Sequence, residues 1–396
     1  PAGVRSWDNE VAGAHRIPSR FPYPAGSDVA VLLHTGGTTG TPKAAMLTHT
    51  NLRANANQAI AWVPMLHEGG ENFLSLLPFF HAFGLTFNLF CAVQKAATQV
   101  MLPKFSVSQV LDAHRRRPIT FFVGVPVMFE RILRGAQKKG VALDTLRYGV
   151  CGAAPMPPAV GAEWESATGG FFVEGYGMTE NSPIIAVNQD RYGKAASVGK
   201  PMPGTEVRII DKDSSGIGEV ICKGPSVMMG YYKDAENTAK TIKDGWLYTG
   251  DYGYFDEDGF LYITGRKKNV IVTKGGKNIF PEEVEYYLLL SDYICEVIVY
   301  GKPEEVKDDL ICTAIMYPDY KALEEAGAEN DEDKYKLLKE AVEEANSKMP
   351  PYKRVKRIEI REDDFIKTTT LKIKRFEKEN YEYQFDDRDF EKGRRF

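Results

Sequence analysis

The chain has 396 residues, of which 50 are Lys or Arg and 54 are Asp or Glu, giving a formal net charge of -4. That length exceeds one ordinary domain and predicts two or three units with a sizeable core, which excludes a small stapled scaffold. The near balance of charge excludes a broad basic field that would gather nucleic acid or an anionic membrane, so an anionic ligand has to be held by local chemistry.

Five cysteines (Cys91, Cys151, Cys222, Cys295, Cys312) are scattered without a CxxC pair. An odd, unpaired count suits free thiols, and a cytoplasmic location, free or peripheral to a membrane, is expected. The opening residues lack the basic-then-apolar layout of a secretory signal, and Pro1 in place of an initiator Met puts the expected N-terminus upstream.

In chain order, short apolar runs at Val29–Leu33, Ile119–Val123 and Tyr148–Val150 alternate with helix-like stretches at Asn51–Trp62, Val107–Arg115 and Val127–Lys138. This is the pattern of an α/β fold, a parallel sheet wrapped by helices. Phe73–Val93 has nearly the length and apolarity of a membrane span, but Pro78, His81, Gly84 and Asn88 interrupt it. A buried strand, a turn and a buried helix are predicted there, with no integral membrane span.

From Gly199 to Gly265 the texture turns to short β-rich pieces, which predicts a small, mostly antiparallel subdomain. After Arg266 a charged α+β unit is expected, with strands at Glu296–Tyr300, Ile311–Met316 and Arg357–Ile360 and a helix at Lys334–Lys348. The run Glu324–Glu344 reads as a loop feeding a solvated helix, and Phe376–Phe396 as a solvated extension. The expected units are therefore 1–198, 199–265 and 266–396.

The densest chemical signal is His34-Thr35-Gly36-Gly37-Thr38-Thr39-Gly40-Thr41-Pro42-Lys43, placed after an apolar strand and before a helix. Glycines let backbone amides approach an anion, threonine hydroxyls add donors, and Lys43 supplies charge, so a phosphate cradle follows. It is not the GxxxxGK[ST] loop, because Pro42 precedes the lysine and Ala44 follows it. Taken alone, such a run is equally a flexible turn. Further along, Cys151-Gly152-Ala153-Ala154-Pro155 and Glu174-Gly175-Tyr176-Gly177-Met178-Thr179-Glu180 each follow an apolar run and are predicted as loops leaving parallel strands, where open α/β sheets bind ligands. Tyr248-Thr249-Gly250-Asp251 and Gly265-Arg266 complete the series.

In this order the motifs resemble those of adenylate-forming enzymes, and the chain is most similar to acyl-CoA synthetases of the long-chain fatty acid ligase type, from about Ala25 to Arg375. Ala44 departs from the usual glycine. Compared with a full-length member, roughly the first third of the large domain is not covered. The resemblance implies a large α/β domain with a mobile C-terminal lid.

It also implies roles. The Thr35–Lys43 loop would clamp the β- and γ-phosphates of ATP, with Thr39 and Glu180 toward Mg²⁺. Gly152, Ala153 and Ala154 would line the adenine pocket, beside Glu174, Gly175, Gly177 and Met178, and the position of Tyr176 stacks on the base. Thr179 would contact the α-phosphate, Asp251 the ribose, and Arg266 the ribose and phosphate side. A carboxylate suits Mg²⁺, which prefers oxygen ligands shared with substrate phosphates.

Near the end of the chain, Lys367-Thr368-Thr369-Thr370-Leu371-Lys372-Ile373-Lys374-Arg375 aligns with the family's PKTxxGKIxR, which puts Lys372 on the catalytic lysine. Leu371 and Ile366 depart from that pattern, and Lys374 is the competitor for the role. Lys268 falls on the family's hinge, and Gly275-Gly276 on the loop that lines the pantetheine tunnel of coenzyme A.

Pro78-Phe79-Phe80-His81-Ala82-Phe83 and Gly124-Val125 match the surroundings of the acyl group, with His81, Phe83, Gly124 and Val125 as candidate walls, although plain core packing accounts for many such residues. His81 stands where an amino-acid-activating enzyme is expected to have an Asp, so the acid has an uncharged body. A medium- or long-chain fatty acid is expected as partner, with aryl acids open. A carrier-protein-loading ligase, a luciferase-like oxygenase, a non-catalytic ATP- or acyl-binding fragment, and homodimer formation also stay open.

Overall fold

A computed structural model of the chain describes residues 23–35, 43–63, 66–153, 156, 158–189, 193–275, 277–304, 309–367 and 373–386. Strands β1 (Val29–Thr35) and β2 (Lys43–Thr48) form an antiparallel hairpin, extended by β12 (Gly230–Tyr231) into a three-stranded sheet. This corrects the expectation that Val29–Leu33 belongs to the parallel sheet. It also corrects the expected loop-to-helix passage, because β2 intervenes before helix His49–Trp62. The Lys43–Thr48 segment finds strand partners on both sides, and the helix starts only where the Thr48 side chain accepts the Asn51 N–H and the Asn51 side chain accepts the Thr48 N–H in return.

A seven-stranded sheet carries the order β4 (Thr98–Met101), β3 (Asn72–Ser75), β5 (Phe121–Gly124), β6 (Tyr148–Gly152), β7 (Phe171–Gly177), β8 (Ile184–Val187) and β9 (Lys200–Pro201). The first five are parallel, and β8 and β9 are antiparallel additions. Central β5 and β6 are buried at every position, as expected for strands covered on both faces. Helices Val107–Arg116, Pro126–Lys139 and Pro158–Thr168 supply the crossovers. Pro126 opens the second of these, and Gly140 closes it with φ 57°.

The apolar stretch 73–93 divides as predicted into β3, a turn and a helical run, Ala82–Gly84, Leu85–Cys91 and Ala92–Gln94, whose middle part is a π-helix. Among the described residues no helix is long and apolar enough to cross a membrane. At the N-terminal edge of the parallel strands the buried Glu71 carboxylate is neutralised by Arg147. It also accepts hydrogen bonds from the Thr120 hydroxyl at 2.6 Å and the His67 N–H at 2.9 Å. The candidate loops leave from the opposite, C-terminal edge.

Strands β10 (Glu206–Ile210), β11 (Gly218–Lys223), β13 (Ile242–Lys243), β14 (Trp246–Phe255) and β15 (Leu261–Arg266) form an antiparallel five-stranded sheet. Beyond it, a short hairpin of β16 (Ile271–Val272) and β17 (Asn278–Ile279) leads to helix Pro281–Leu288. A further sheet has the order β18 (Ile294–Glu304), β19 (Asp309–Pro318), β20 (Arg357–Ile360), β21 (Phe385–Asp386). Residues Ile271 to Ile360 build a core of their own under helix Asp331–Ser347.

Two expectations need correction here. The charged run holds two helices, Tyr320–Glu325 and Asp331–Ser347, and the second buries Leu338, Ala341, Val342 and Ala345, because its apolar residues recur at helical spacing. The described part of the tail is packed rather than solvated. The buried Asn380 amide accepts the Ile366 N–H at 2.7 Å and donates to the carbonyls of Ile366 and Lys374, and β21 pairs with β20.

Helix His49–Trp62 is fastened by a wholly buried polar cluster. Asn55 donates to the Ile184 carbonyl (3.0 Å) and the Ser226 hydroxyl (3.2 Å), and accepts the Ile184 N–H (3.0 Å). Truncating such a group strands its partners without solvent. Asn55→Ala is expected to lower unfolding stability by about 3 kcal/mol. Urea titration checks this, and a loss below about 0.5 kcal/mol, the scatter of neutral surface changes, would show the cluster to be idle.

Candidate active site

The β1–β2 hairpin ends with Thr35 directly opposite Lys43, so the two described ends of the glycine-rich run are held as a cross-strand pair. Thr35 is buried. Gly36, Gly37, Thr38, Thr39 and Gly40 lie outside the described residues, as do Ala154, Gly276 and Lys372.

The parallel register brings the second group of candidates together. Gly124 pairs with Cys151 and Gly152 with Gly175, so β5, β6 and β7 end in small residues side by side. Phe83 packs on this floor: a Cβ added to Gly152 would meet its ring at 3.3 Å. His81 caps the short helix that carries Phe83, its Nδ1 accepting the Phe83 N–H at 3.3 Å. Val125 is buried at the entry of helix Pro126–Lys139. His81, Phe83, Gly124 and Val125 thus sit at or beside one sheet edge.

Glu174, Gly175, Tyr176 and Gly177 do not form a loop. They are the last four residues of β7, and the turn begins only at Met178. The strand runs on because β8 pairs with it beyond the end of β6. Gly177 is obligatory for that pairing, since a Cβ there would come within 2.1 Å of the Pro183 carbonyl oxygen. The following 3₁₀ turn, Thr179–Asn181, buries Glu180, whose carboxylate accepts the Tyr231 hydroxyl at 2.7 Å. Burial raises the Glu180 carboxyl above its ordinary range, opposed by the Tyr231 hydrogen bond and by the charges of Arg266 and Lys43.

Asp251 is presented by a bulge. Three residues of β11, from Ile221 to Glu219, face five of β14, from Tyr248 to Tyr252, and the surplus falls among Thr249, Gly250 and Asp251. Gly250 takes φ 71°, and the Thr249 hydroxyl fixes the turn by donating to the Val220 carbonyl and accepting the Asp251 N–H. The buried Asp251 carboxylate accepts the Tyr176 hydroxyl at 2.6 Å and meets Arg266 Nε at 3.3 Å, the two being cross-strand partners. Burial first, then the Asp251 charge, holds the Tyr176 phenol well above its usual range. Tyr176, Asp251 and Arg266 therefore form one group, joined by a hydrogen bond and an ion pair.

Lys268 is exposed in the turn after β15, and Gly275 is exposed in the loop between β16 and β17. Ile373 forms a bridge with Lys367, and these two flank the segment that contains Lys372. Lys374 lies 3.5 Å from Glu377 and over the Phe376 ring.

Among the described residues no three His, Cys, Asp or Glu side chains gather as a metal cage. One buried carboxylate fits a Mg²⁺ that arrives with nucleotide phosphates, since that ion takes one or two protein carboxylates and fills its shell with phosphate and water oxygens. Sequence reasoning missed Tyr231, because Met228-Met229-Gly230-Tyr231-Tyr232 carries no chemical pattern. Only the pairing of β12 with β2 brings it here.

A mixed α/β fold with these motifs at the C-terminal edge of its parallel strands defines a nucleotide-binding class, and residues 4–232 match the family of AMP-binding enzymes. The chain belongs to that family. It is 36% identical over 355 residues to a long-chain-fatty-acid–CoA ligase of Bacillus subtilis (strain 168), covering 88% of this chain and 61% of that one. It is 32% identical over 355 residues to an indoleacetate–CoA ligase of Aromatoleum aromaticum, covering 86% and 68%. Among solved structures, an o-succinylbenzoate coenzyme A synthetase of Bacillus subtilis in complex with ATP and magnesium ion superposes with a TM-score of 0.75 at 28% identity, covering 89% of this chain and 70% of that one. ATP-bound MatB from Rhodopseudomonas palustris gives 0.77 at 27%, covering 93% and 70%. The chain spans 54 to 61% of the length of the long-chain ligases of Yersinia pestis and Bacillus subtilis.

Glu174 gives the site a pH signature. Its carboxylate accepts the Met156 N–H at 2.9 Å, tying the segment after β6 to β7. Burial pushes its carboxyl from 4.5 up to about 7, partly offset by that N–H. The folded chain keeps the proton where the unfolded chain has lost it, so this contribution is fully present below pH 4.5 and lost as pH rises to 7. Glu174→Gln is expected to become more stable than the parent by about 2 to 3 kcal/mol on going from pH 5 to pH 8. Urea midpoints at the two pH values measure it, and a pH-independent difference would return Glu174 to an ordinary carboxyl.

Proposed function

We propose that this chain carries the adenylation and thioester chemistry of an AMP-forming acid–thiol ligase. An oxygen of a carboxylic acid attacks the α-phosphorus of ATP, the bond to the β-phosphate breaks and pyrophosphate leaves. The thiol of coenzyme A then loses its proton and bonds to the acyl carbon, releasing AMP. The observation that supports this reading best is the convergence on one sheet edge of the Thr35–Lys43 hairpin end, the Glu180 turn and the Tyr176–Asp251–Arg266 group.

Each group has a task that its chemistry suits. Both reactants are anionic, so fixed cations and a metal have to offset their repulsion. Lys43 and the loop before it would hold the β- and γ-phosphates, Thr179 the α-phosphate, and Glu180 together with Thr39 the Mg²⁺. Gly152, Ala153, Ala154 and β7 from Glu174 would enclose the adenine, while Asp251 and Arg266 would hold the ribose. Lys372 would bridge the acyl carboxylate and the ribose-phosphate oxygens. The engagement of Lys374 with Glu377 and Phe376 favours Lys372 over it.

We take residues 1–198, 199–265 and 266–396 as three units, with Lys268 as the hinge on which the last one turns and Gly275-Gly276 as the lining for the pantetheine arm. The acid is one with an uncharged body, first a medium- or long-chain fatty acid. The ring of Phe83 on Gly152 and the indoleacetate–CoA ligase among the relatives favour an aryl acid as the second reading.

Mass spectrometry after incubation with ATP, Mg²⁺ and a panel of fatty and aryl acids is expected to show acyl-AMP without coenzyme A and acyl-CoA with it. Finding neither product would leave a binding-only protein. Lys372→Ala should abolish acyl-adenylate formation, by about a thousandfold or more for a group that acts on developing charge. It should spare thioester formation from supplied acyl-adenylate, and equal loss in both half-reactions would remove Lys372 from the assigned role.

A further inference from the structure

Tyr231 stands between two charges that have reason to collapse onto each other. Its hydroxyl donates to the buried Glu180 carboxylate at 2.7 Å, and the Lys43 ammonium lies 4.8 Å from the centre of its ring. Lys43 is close enough to act on the Glu180 charge, yet among the described residues no ion pair joins them. A direct lysine–carboxylate pair in a site of low polarity would hold both groups and withdraw them from any ligand. The phenol gives each a neutral partner instead: a hydroxyl for the anion and a ring face for the cation.

The placement of Tyr231 is itself fixed from three sides. β12 sets it opposite Ala45 of β2, two residues from Lys43. Its N–H donates to the Thr238 hydroxyl at 2.8 Å, and the nearby Met228 N–H donates to the Glu180 carbonyl at 2.8 Å. The ring is buried in the small core beneath the hairpin. Phosphate-loop lysine, acidic turn and β12 are thereby locked to one side chain.

We propose that Tyr231 is a positioning residue of the adenylation site, which keeps Glu180 aimed at the metal and Lys43 aimed at the phosphates by holding them on separate parts of one phenol. The inference rests on the adenylation reading above. It assigns the 230–232 segment, which carries no recognisable motif, a part in nucleotide and metal binding.

Calorimetric titration of the whole protein with ATP, in EDTA and at a series of Mg²⁺ concentrations, tests it. Tyr231→Phe keeps the ring and removes the hydroxyl. ATP affinity in EDTA should stay within about twofold of the parent, whereas the Mg²⁺ concentration giving half of the tightening should rise about tenfold, the scale of one hydrogen bond to a charged group. Tyr231→Leu, which removes the ring too, should also weaken metal-free ATP binding by about three- to tenfold. In the Tyr231→Phe/Glu180→Gln double variant the Mg²⁺ midpoint should match that of Glu180→Gln alone.

A Tyr231→Phe protein that tracks the parent at every Mg²⁺ concentration, or losses that add in the double variant, would overturn the role of Tyr231 and leave the ligase reading standing. A parent protein that binds no ATP under either condition would overturn both.

Discussion

A carboxylate taken almost wholly out of water is costly, and the surroundings of Glu180 are arranged around satisfying it. Its backbone carbonyl is met by the Met228 N–H, its side chain by the Tyr231 hydroxyl, and its charge by Lys43 and Arg266. Those partners come from β2, β12, β15 and the 225–230 segment, which are far apart in sequence. Satisfying one buried anion therefore sets how the hairpin sheet, the end of β7 and the five-stranded sheet meet.

The two edges of the parallel strands have been given opposite treatment. At the N-terminal edge Glu71, Arg147 and Thr120 neutralise and bond one another directly, leaving little for a ligand to gain. At the C-terminal edge β5, β6 and β7 bring Gly124, Cys151, Gly152 and Gly175 side by side, so small residues let neighbouring groups such as the Phe83 ring come close to the backbone. Tyrosine hydroxyls engage the acids there: Tyr231 stands between Glu180 and Lys43, while Asp251 takes the Tyr176 hydroxyl and pairs with Arg266. The first arrangement serves stability. The second keeps hydrogen-bonding capacity in reserve for binding.

Beyond Arg266 the same physics works on a smaller scale. Arg375 forks onto both oxygens of the buried Glu285, which also accepts the Val299 N–H at 2.6 Å, and the Tyr381 hydroxyl bonds the Arg375 carbonyl at 2.9 Å. Breaking a buried pair of this kind typically costs about 3 to 5 kcal/mol. It joins the stretch just after Ile373 to helix Pro281–Leu288, so the two segments that the proposed chemistry uses in turn are anchored to one ion pair. Contact with the rest of the molecule runs through Tyr252 and Phe280, whose rings meet edge to face at 5.8 Å, and through Gly265, where a Cβ would fall 2.6 Å from Glu282.

The sequence by itself determined what is local and periodic. Apolar runs placed β5 and β6, helical spacing placed helices Val107–Arg116 and Pro126–Lys139 within a residue or two, and the order of glycine-, threonine- and acid-bearing motifs named the family. Pairing decided the rest. Val29–Leu33 reads like any buried strand, and only the partner it finds makes it a hairpin outside the main sheet. Glu174–Gly177 reads as a loop because glycine is common in loops, yet β8 holds it extended. The tail from Phe376 is charged enough to pass for a solvated extension, yet the buried Asn380 amide and the pairing of β21 with β20 pack its described part down. Tyr231 has no signal in its own neighbourhood, since its importance lies in groups 51 and 188 residues away along the chain that the tertiary fold alone brings to its two ends. Local composition records what a segment can do. Which charge it will face is fixed by long-range strand pairing, because that is what sets distances between side chains remote in sequence.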